Sequence, residues 1–349
     1  MSMRLRVVVA TPLTEELGRW MQEQEPRIEL VHDPSLLPHM RHAADHGGDP
    51  SFHRTEQQQR DFEALLDSAD VLYGVPDSDP AALKRTADAN PGLRWVHTMA
   101  AGGGGQVKAA GLTDEQLERI VFTTSAGVHA KPLAEFALFG LLAGAKTLDR
   151  LQRQQENREW TDRWMMGQLA QQTILVVGLG GIGRRVAELL SALGSTVIGT
   201  SRRETSVPGV SNVIHPDDLV TVAGEVDGVV VTLPGTDATE GLLGTAFFGA
   251  LRPGATLVNV GRGSVIQEEA LVSALNSGMV GFVALDVFAT EPLPVHSPLW
   301  HMSNVIISPH TAALSATEDR LIAEVFVDNA ARFLDDKEVR NRVNMREFY

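Results

Sequence analysis

Cysteine is absent from this chain, which removes disulfides, thiolate metal sites and a thiol nucleophile together. An excess of basic charge is also lacking: 30 Lys and Arg against 44 Asp and Glu give a formal net charge of -14. Such a surface repels phosphate backbones and anionic bilayers, so neither nucleic acid nor a membrane is an expected partner, while a local basic site stays compatible with it. No apolar run approaches the ~20 residues needed to span a bilayer. The run after Arg6 extends only from Val7 to Ala10, too short for a signal peptide. A cytosolic protein is the expectation. Short-period repeats and a long disordered tail are missing too.

What is present is an ordinary globular composition, 43% hydrophobic and 21% charged. Its 349 residues are too many for one core, and two domains are expected. In the first third, "RVVVA" (Arg6 to Ala10), "ADVLYGV" (Ala69 to Val75), "LRWVHTM" (Leu93 to Met99) and "IVFTT" (Ile120 to Thr124) read as buried strands, being short, apolar and bounded by Gly, Pro or Asp. The second half supplies six more, "TILVVG", "TVIGT", "GVVVTLP", "TLVNVG", "FVALDVF" and "NVIIS". Strands alternating with helical patterns predict parallel α/β sheets, and six in this order predict a doubly wound nucleotide-binding domain.

Three segments stand apart from this alternation. His32, His39, His42, His46 and His53 lie in a polar stretch broken by Pro and Gly; their spacings match no metal-ligand pattern, and the stretch reads as a solvated excursion. A long helix is expected to start near Lys131 and Pro132, since proline suits a first turn. Its apolar sequence, with Gly140 and Gly144 one turn apart, implies close packing on several faces, between domains or subunits. Trp160 and Trp164 follow in polar sequence, as local packing, a subunit contact or a pocket wall.

Gly178, Gly180 and Gly183 form G-x-G-x-x-G in "VVGLGGIGRRVAELL". The bare string is weak, but here it follows an apolar strand and opens an amphipathic helix, the context of a dinucleotide fingerprint. Gly178 makes the turn, Gly180 admits the pyrophosphate to backbone N–H groups, which with Gly181 and Ile182 open the helix, and Gly183 lets helix and strand pack. About twenty residues beyond such glycines an acid usually grips the adenosine ribose in an NAD site. At that strand tip this chain has Thr200, Ser201, Arg202 and Arg203. With no carboxylate to repel a 2′-phosphate and two guanidiniums to bind it, NADP(H) is the predicted cofactor, and NAD(H) is expected to bind more weakly.

Reactive groups in open α/β sheets gather at the carboxyl ends of strands. Three such ends carry polar residues: Arg262 in "LVNVGRGSV", Asp286 and Glu291 in "ALDVFATEPLP", and His310 in "NVIISPHTAA". Together and in this order, from about Leu93 to His310, these motifs resemble the D-isomer-specific 2-hydroxyacid dehydrogenase family, closest in flavour to its NADPH-dependent glyoxylate/hydroxypyruvate reductases.

The resemblance implies two Rossmann-like parallel-sheet α/β domains. A coenzyme domain of residues 126–310 would be inserted into a flavodoxin-like substrate domain of residues 1–125 and 311–349, with a cleft that closes on substrate, in a homodimer. Arg262 would bind the carboxylate of a 2-oxo acid and polarise its carbonyl, as a planar guanidinium suits paired oxygens. His310 would be the general acid, oriented and favoured as imidazolium by Glu291. Asp286 would hold the nicotinamide carboxamide or shape the site, and Leu233 and Pro234 would line the nicotinamide face. Backbone donors for the carboxylate are expected in the loop Ala100, Ala101, Gly102, Gly103, whose four consecutive glycines depart from the family pattern and suggest initial flexibility. No metal is expected. The alternatives are a reductase of a bulkier 2-oxo acid such as phenylpyruvate and, in another class, a non-catalytic cofactor-sensing protein of the corepressor type. Phosphoglycerate dehydrogenase is disfavoured by the basic ribose tip, and formate dehydrogenase by Glu291, where that branch has an amide.

Overall fold

The computed structural model describes residues 4–346 and 348. Among these, the strands form two sheets, parallel in every named pair, in two compact units: residues up to Val128 with those from Leu314 onward, and His129–Ala313. The crossovers fall three residues beyond the boundaries expected from sequence. Val128 joins the core of the first unit, whereas Ala312 and Ala313 pack against a core of the second.

The first unit holds β1 (Leu5–Val9), β2 (Ile28–Val31), β3 (Val71–Tyr73), β4 (Trp95–Thr98) and β5 (Val121–Thr124) in the order β2-β1-β3-β4-β5. That is the flavodoxin-like order, with its reversal between β1 and β3. Both faces of a parallel sheet are covered, so its central strands read as unbroken apolar runs. Trp95 stacks on Phe326 of the last helix, Glu318–Leu334, with ring centroids 4.8 Å apart. Strand β2 was missed in the sequence because Glu29 interrupts its short apolar run and only Ile28 of its four residues is buried.

The histidine-bearing excursion is more ordered than a solvated connector. Asp45, 5% exposed, accepts hydrogen bonds from Arg41 N, from the Arg41 guanidinium and from Gly48 N at 2.7–3.1 Å. At its end Arg54 lies 3.8 Å over the Phe62 ring and pairs with Asp77.

The second unit holds β6 (Thr173–Val177), β7 (Thr196–Thr200), β8 (Asn212–Ile214), β9 (Gly228–Val231), β10 (Ala255–Asn259), β11 (Val280–Leu285) and β12 (Val305–Ile307), ordered β12-β11-β10-β9-β6-β7-β8. Chain order reverses between β6 and β9, the doubly wound switch point. The sequence reading anticipated six of these strands; β8, three residues on an edge, carries too little apolar signal to be read.

The long helix is two helices, Ala130–Ala145 and Leu148–Asn157, separated where Thr147 adopts a left-handed φ of 52°. Its glycines pack it within its own unit. A Cβ on Gly140 would lie 2.7 Å from Val258 and 2.8 Å from Ala284, and one on Gly144 would strike Thr256, so both bring the helix onto β10 and β11 of its own unit.

Candidate active site

The glycine loop leaves the carboxyl end of β6 at the switch point. Gly178 has a φ of 104°, open to glycine and strained for any side chain, and Gly180 caps the helix Gly181–Ala192. A Cβ on Gly183 would meet Gly178 O and, at 2.9 Å, Thr232 Oγ1, whereas one on Gly180 meets nothing within 4 Å. The loop is therefore packed tightly on its protein side and open where a pyrophosphate would approach the helix N-terminus. Two hydroxyls missed in the sequence hold it. Thr200 Oγ1 accepts from Gly178 N at 2.9 Å, and Thr232 Oγ1 donates to Gly178 O at 2.7 Å.

Past Thr200 the chain turns, and Ser201 Oγ accepts from Arg203 N and donates to Arg203 O at 3.1 and 2.7 Å. Ser201 is thus engaged in shaping the turn, while Arg202 and Arg203 stand exposed at its tip. Leu233 reaches back to the glycine loop: a Cβ on Gly178 would lie 2.7 Å from its Cδ2. Gly261 lies against the Leu233 backbone and Gly235 against the Arg262 stem. Glycines at 178, 235 and 261 thereby let three strand-end loops nest.

Arg262 follows β10. Asn259, 1% exposed, donates from Nδ2 to Arg262 O and accepts from Gly261 N, both at 3.0 Å. This second missed group was visible as a lone amide in the apolar run "LVNVG". Arg262 itself is exposed, its guanidinium donating to Gly261 O.

Glu291 and His310 meet at 2.8 Å, Oε2 to Nδ1. The other carboxylate oxygen, Oε1, accepts from Phe288 N at 3.0 Å. Burial pushes the Glu291 carboxyl up, but the hydrogen bonds from His310 and Phe288 and the charges of His310 and Arg262 outweigh it, leaving it below the usual glutamate range. The carboxylate is therefore the acceptor, Nδ1 carries the proton, and Nε2 is the nitrogen left to face a reactant. His310 has a φ of 55°, a left-handed conformation costing a side-chain-bearing residue about 1–2 kcal/mol. Asp286, 1% exposed, accepts from Ser308 Oγ at 2.6 Å and from Thr311 N and Ala312 N at 2.9 Å, all at Oδ1.

This arrangement coincides with a family match. The family model described as D-isomer specific 2-hydroxyacid dehydrogenase, NAD binding domain, covers residues 138–312. Glyoxylate/hydroxypyruvate reductase B of Salmonella paratyphi A is 31% identical over 302 residues, 84% of this chain and 90% of that protein. The chain belongs to the D-isomer-specific 2-hydroxyacid dehydrogenase family. Among solved structures, a dehydrogenase of this family from Xanthobacter autotrophicus Py2, in complex with NADPH and MES, superposes with a TM-score of 0.78 at 27% identity over 99% of this chain and all of that one. The NADPH-dependent glyoxylate/hydroxypyruvate reductase of Sinorhizobium meliloti, in complex with NADP and sulfate, gives 0.78 at 26% over the same shares.

The residues expected to supply backbone donors to the substrate carboxylate lie in the first unit. Residues 100–103 form a turn rather than a loose loop, with Gly103 N donating to Ala100 O at 3.2 Å and a short helix from Gly104. A Cβ on Gly103 would be 2.5 Å from Thr98 Cβ, and one on Gly104 would strike Phe348 O. Two of the four glycines are thus packing requirements. Trp164 donates to Thr147 Oγ1 at 3.2 Å beneath the Arg150 guanidinium, whereas Trp160 is fully exposed. Among the described residues no helix is long and apolar enough to cross a membrane.

Proposed function

We propose that this dehydrogenase reduces a small 2-oxo acid of the glyoxylate or hydroxypyruvate type to the D-2-hydroxy acid, preferring NADPH over NADH. The observation that carries the reading is the His310–Glu291 pair at 2.8 Å, with the Arg262 charge acting on the same carboxylate. Arg262 binds the substrate carboxylate and polarises the carbonyl. His310, held through Nδ1 by Glu291, gives a proton from Nε2 to the carbonyl oxygen and takes it back in the reverse direction. The bound nicotinamide supplies the hydride. Gly178, Gly180, Gly181, Ile182 and Gly183 hold the pyrophosphate, Leu233 and Pro234 line the nicotinamide side, and Ser201 shapes the turn from which Arg202 and Arg203 take the 2′-phosphate. Backbone N–H groups of Ala100, Ala101, Gly102 and Gly103 are assigned as further carboxylate donors. The first unit is assigned as substrate domain and the second as coenzyme domain.

A homodimer is also proposed. The helix Leu148–Asn157 has no buried residue, and Phe139, Leu142, Trp160 and Met165 near it are exposed, an apolar set that a second copy would cover. Light scattering tests this, and a monomer refutes it. The absence of cysteine supports a cytoplasmic location.

Initial rates of NADPH and NADH oxidation with glyoxylate, hydroxypyruvate and phenylpyruvate test the activity. Fast NADPH-dependent turnover of either small acid is expected. Turnover of phenylpyruvate alone moves the assignment to a bulkier substrate, and NADPH binding without turnover of any acid refutes the small-acid reductase reading.

A further inference from the structure

His310 is the second residue after Ser308 and immediately precedes Thr311, and its left-handed backbone lies in a region that residues with side chains seldom occupy. Something must hold it there, because the pair with Glu291 involves two side chains with exposures of 47% and 35%, too open to impose a backbone conformation. The strand is no help either: β12 ends at Ile307. What brackets His310 is a single oxygen. Asp286 Oδ1 receives Ser308 Oγ from before the histidine and the N–H groups of Thr311 and Ala312 from after it. Asp286 N in turn donates to Asn259 O at 3.1 Å, and Ser308 N to Leu285 O at 2.9 Å, so the clamp is built on the ends of β10 and β11.

We propose that Ser308 and Asp286 form a clamp that positions His310, with Ser308 a positioning residue for proton transfer and the Oδ1 of Asp286 committed to the histidine loop rather than to the cofactor. The proposal rests on the reading of His310 as general acid. A carboxylate accepting three donors at one atom is a strong local tie, since hydrogen bonds to a charged group exceed neutral ones. Losing Ser308 Oγ removes one of the three donors that fix Asp286 Oδ1, so the ring loses its fixed approach to Glu291 and the two N–H bonds that remain loosen with it. The groups facing the His310 ring through this arrangement are Glu291 directly and Arg262 by its effect on Glu291.

The test is Ser308→Ala in the full chain, with Ser308→Thr restoring a hydroxyl. Two readouts need no substrate: the low-field proton resonance of the His310 Nδ1–H bond to Glu291, and amide exchange at Thr311 and Ala312. In Ser308→Ala the resonance should broaden or vanish and exchange at both amides should accelerate, with recovery in Ser308→Thr. On the acid that the parent reduces, kcat should fall about tenfold to a hundredfold, the scale of a misplaced catalytic group, with the KM for NADPH little changed. An unaltered resonance and unaltered exchange overturn the clamp. Faster exchange with an unaltered resonance leaves Ser308 as loop packing only and also overturns it. If the parent reduces no 2-oxo acid, the functional reading fails, and the spectroscopic readouts still decide the clamp. Should Ser308→Ala not fold, Asp286→Asn provides the same readouts, because the amide oxygen accepts these donors without the charge that strengthens them.

Discussion

A single methyl group at Gly263 should uncouple the site while leaving the fold standing. Gly263 is buried in the turn directly after Arg262. A Cβ there would strike the carbonyl of Phe288 and lie 2.5 Å from Ala289 N, where ordinary contact begins at 3.4 Å, so the two backbones must part by at least about 1 Å. Neither side can yield by rotating a side chain, since both partners are main chain. The retreat of Phe288 takes with it the N–H that holds Glu291 Oε1, and the retreat of Gly263 displaces Arg262. Overpacking of this kind costs about 1–3 kcal/mol of stability. A displacement of about 1 Å in a catalytic group costs about a hundredfold in rate. Gly263→Ala should therefore unfold at moderately lower urea, bind NADPH within about threefold of the parent, ~0.6 kcal/mol, and lose about two orders of magnitude in kcat/KM for its 2-oxo acid. Urea titration, NADPH fluorescence and steady-state kinetics measure the three quantities. A variant destabilised as expected whose kcat/KM stays within about threefold would show that the Arg262 turn and the Glu291 loop do not act as a unit.

Replacing Arg202 and Arg203 together by alanine should weaken NADPH about tenfold to a few hundredfold, the range of ~1.5–3 kcal/mol for a charged hydrogen bond, with NADH little affected; equal losses measured by fluorescence titration contradict the 2′-phosphate role. His310→Ala should remove turnover, by about two to four orders of magnitude, while NADPH binding persists, and a variant within a few fold of the parent would mean the acid is another group. Acid should destabilise the first unit through His97, which burial pushes down to about 3 while Thr123 and Ser125 hold its ring at 2.8 and 3.1 Å. The sign follows from proton counts: below the ordinary value of 6.5 the unfolded chain takes a proton that the folded chain refuses, so this contribution is complete above pH 6.5 and declines as pH falls toward 3. The slope approaches ~1.4 kcal/mol per pH unit once the unfolded imidazole is protonated, which gives about 2 kcal/mol between pH 6.5 and 4.5. Urea unfolding of the parent and His97→Gln across that window checks it, and parallel stability curves refute it.

Much of the fold was legible because parallel strands covered on both faces leave unbroken apolar runs, as in "TILVV" and "GVVV". Strands β2 and β8 were not, since Glu29 interrupts the apolar run of the first and the second offers only Val213 and Ile214, whereas the other edge strands have longer apolar runs, Ile120 to Phe122 leading into β5 and Val305 to Ile307 forming β12. The single long helix expected from near Lys131 breaks at Thr147, whose left-handed backbone leaves no mark on hydrophobic periodicity.

By itself the sequence determined the chemistry on offer: a glycine loop between a strand and a helix, two arginines where an acid would select NAD, and Arg262, Glu291 and His310 at successive strand ends. These are matters of residue type and spacing, which the chain carries in one dimension. Tertiary structure alone decided how they are held. Asn259 stands out only as a lone amide, Thr200, Thr232 and Ser308 are unremarkable as letters, and nothing in the letters shows that Asp286 Oδ1 lies between Ser308 and Thr311. The reason is that a buried polar atom takes its partners from whatever folding brings beside it, and those partners lie between three and 54 residues away along the chain.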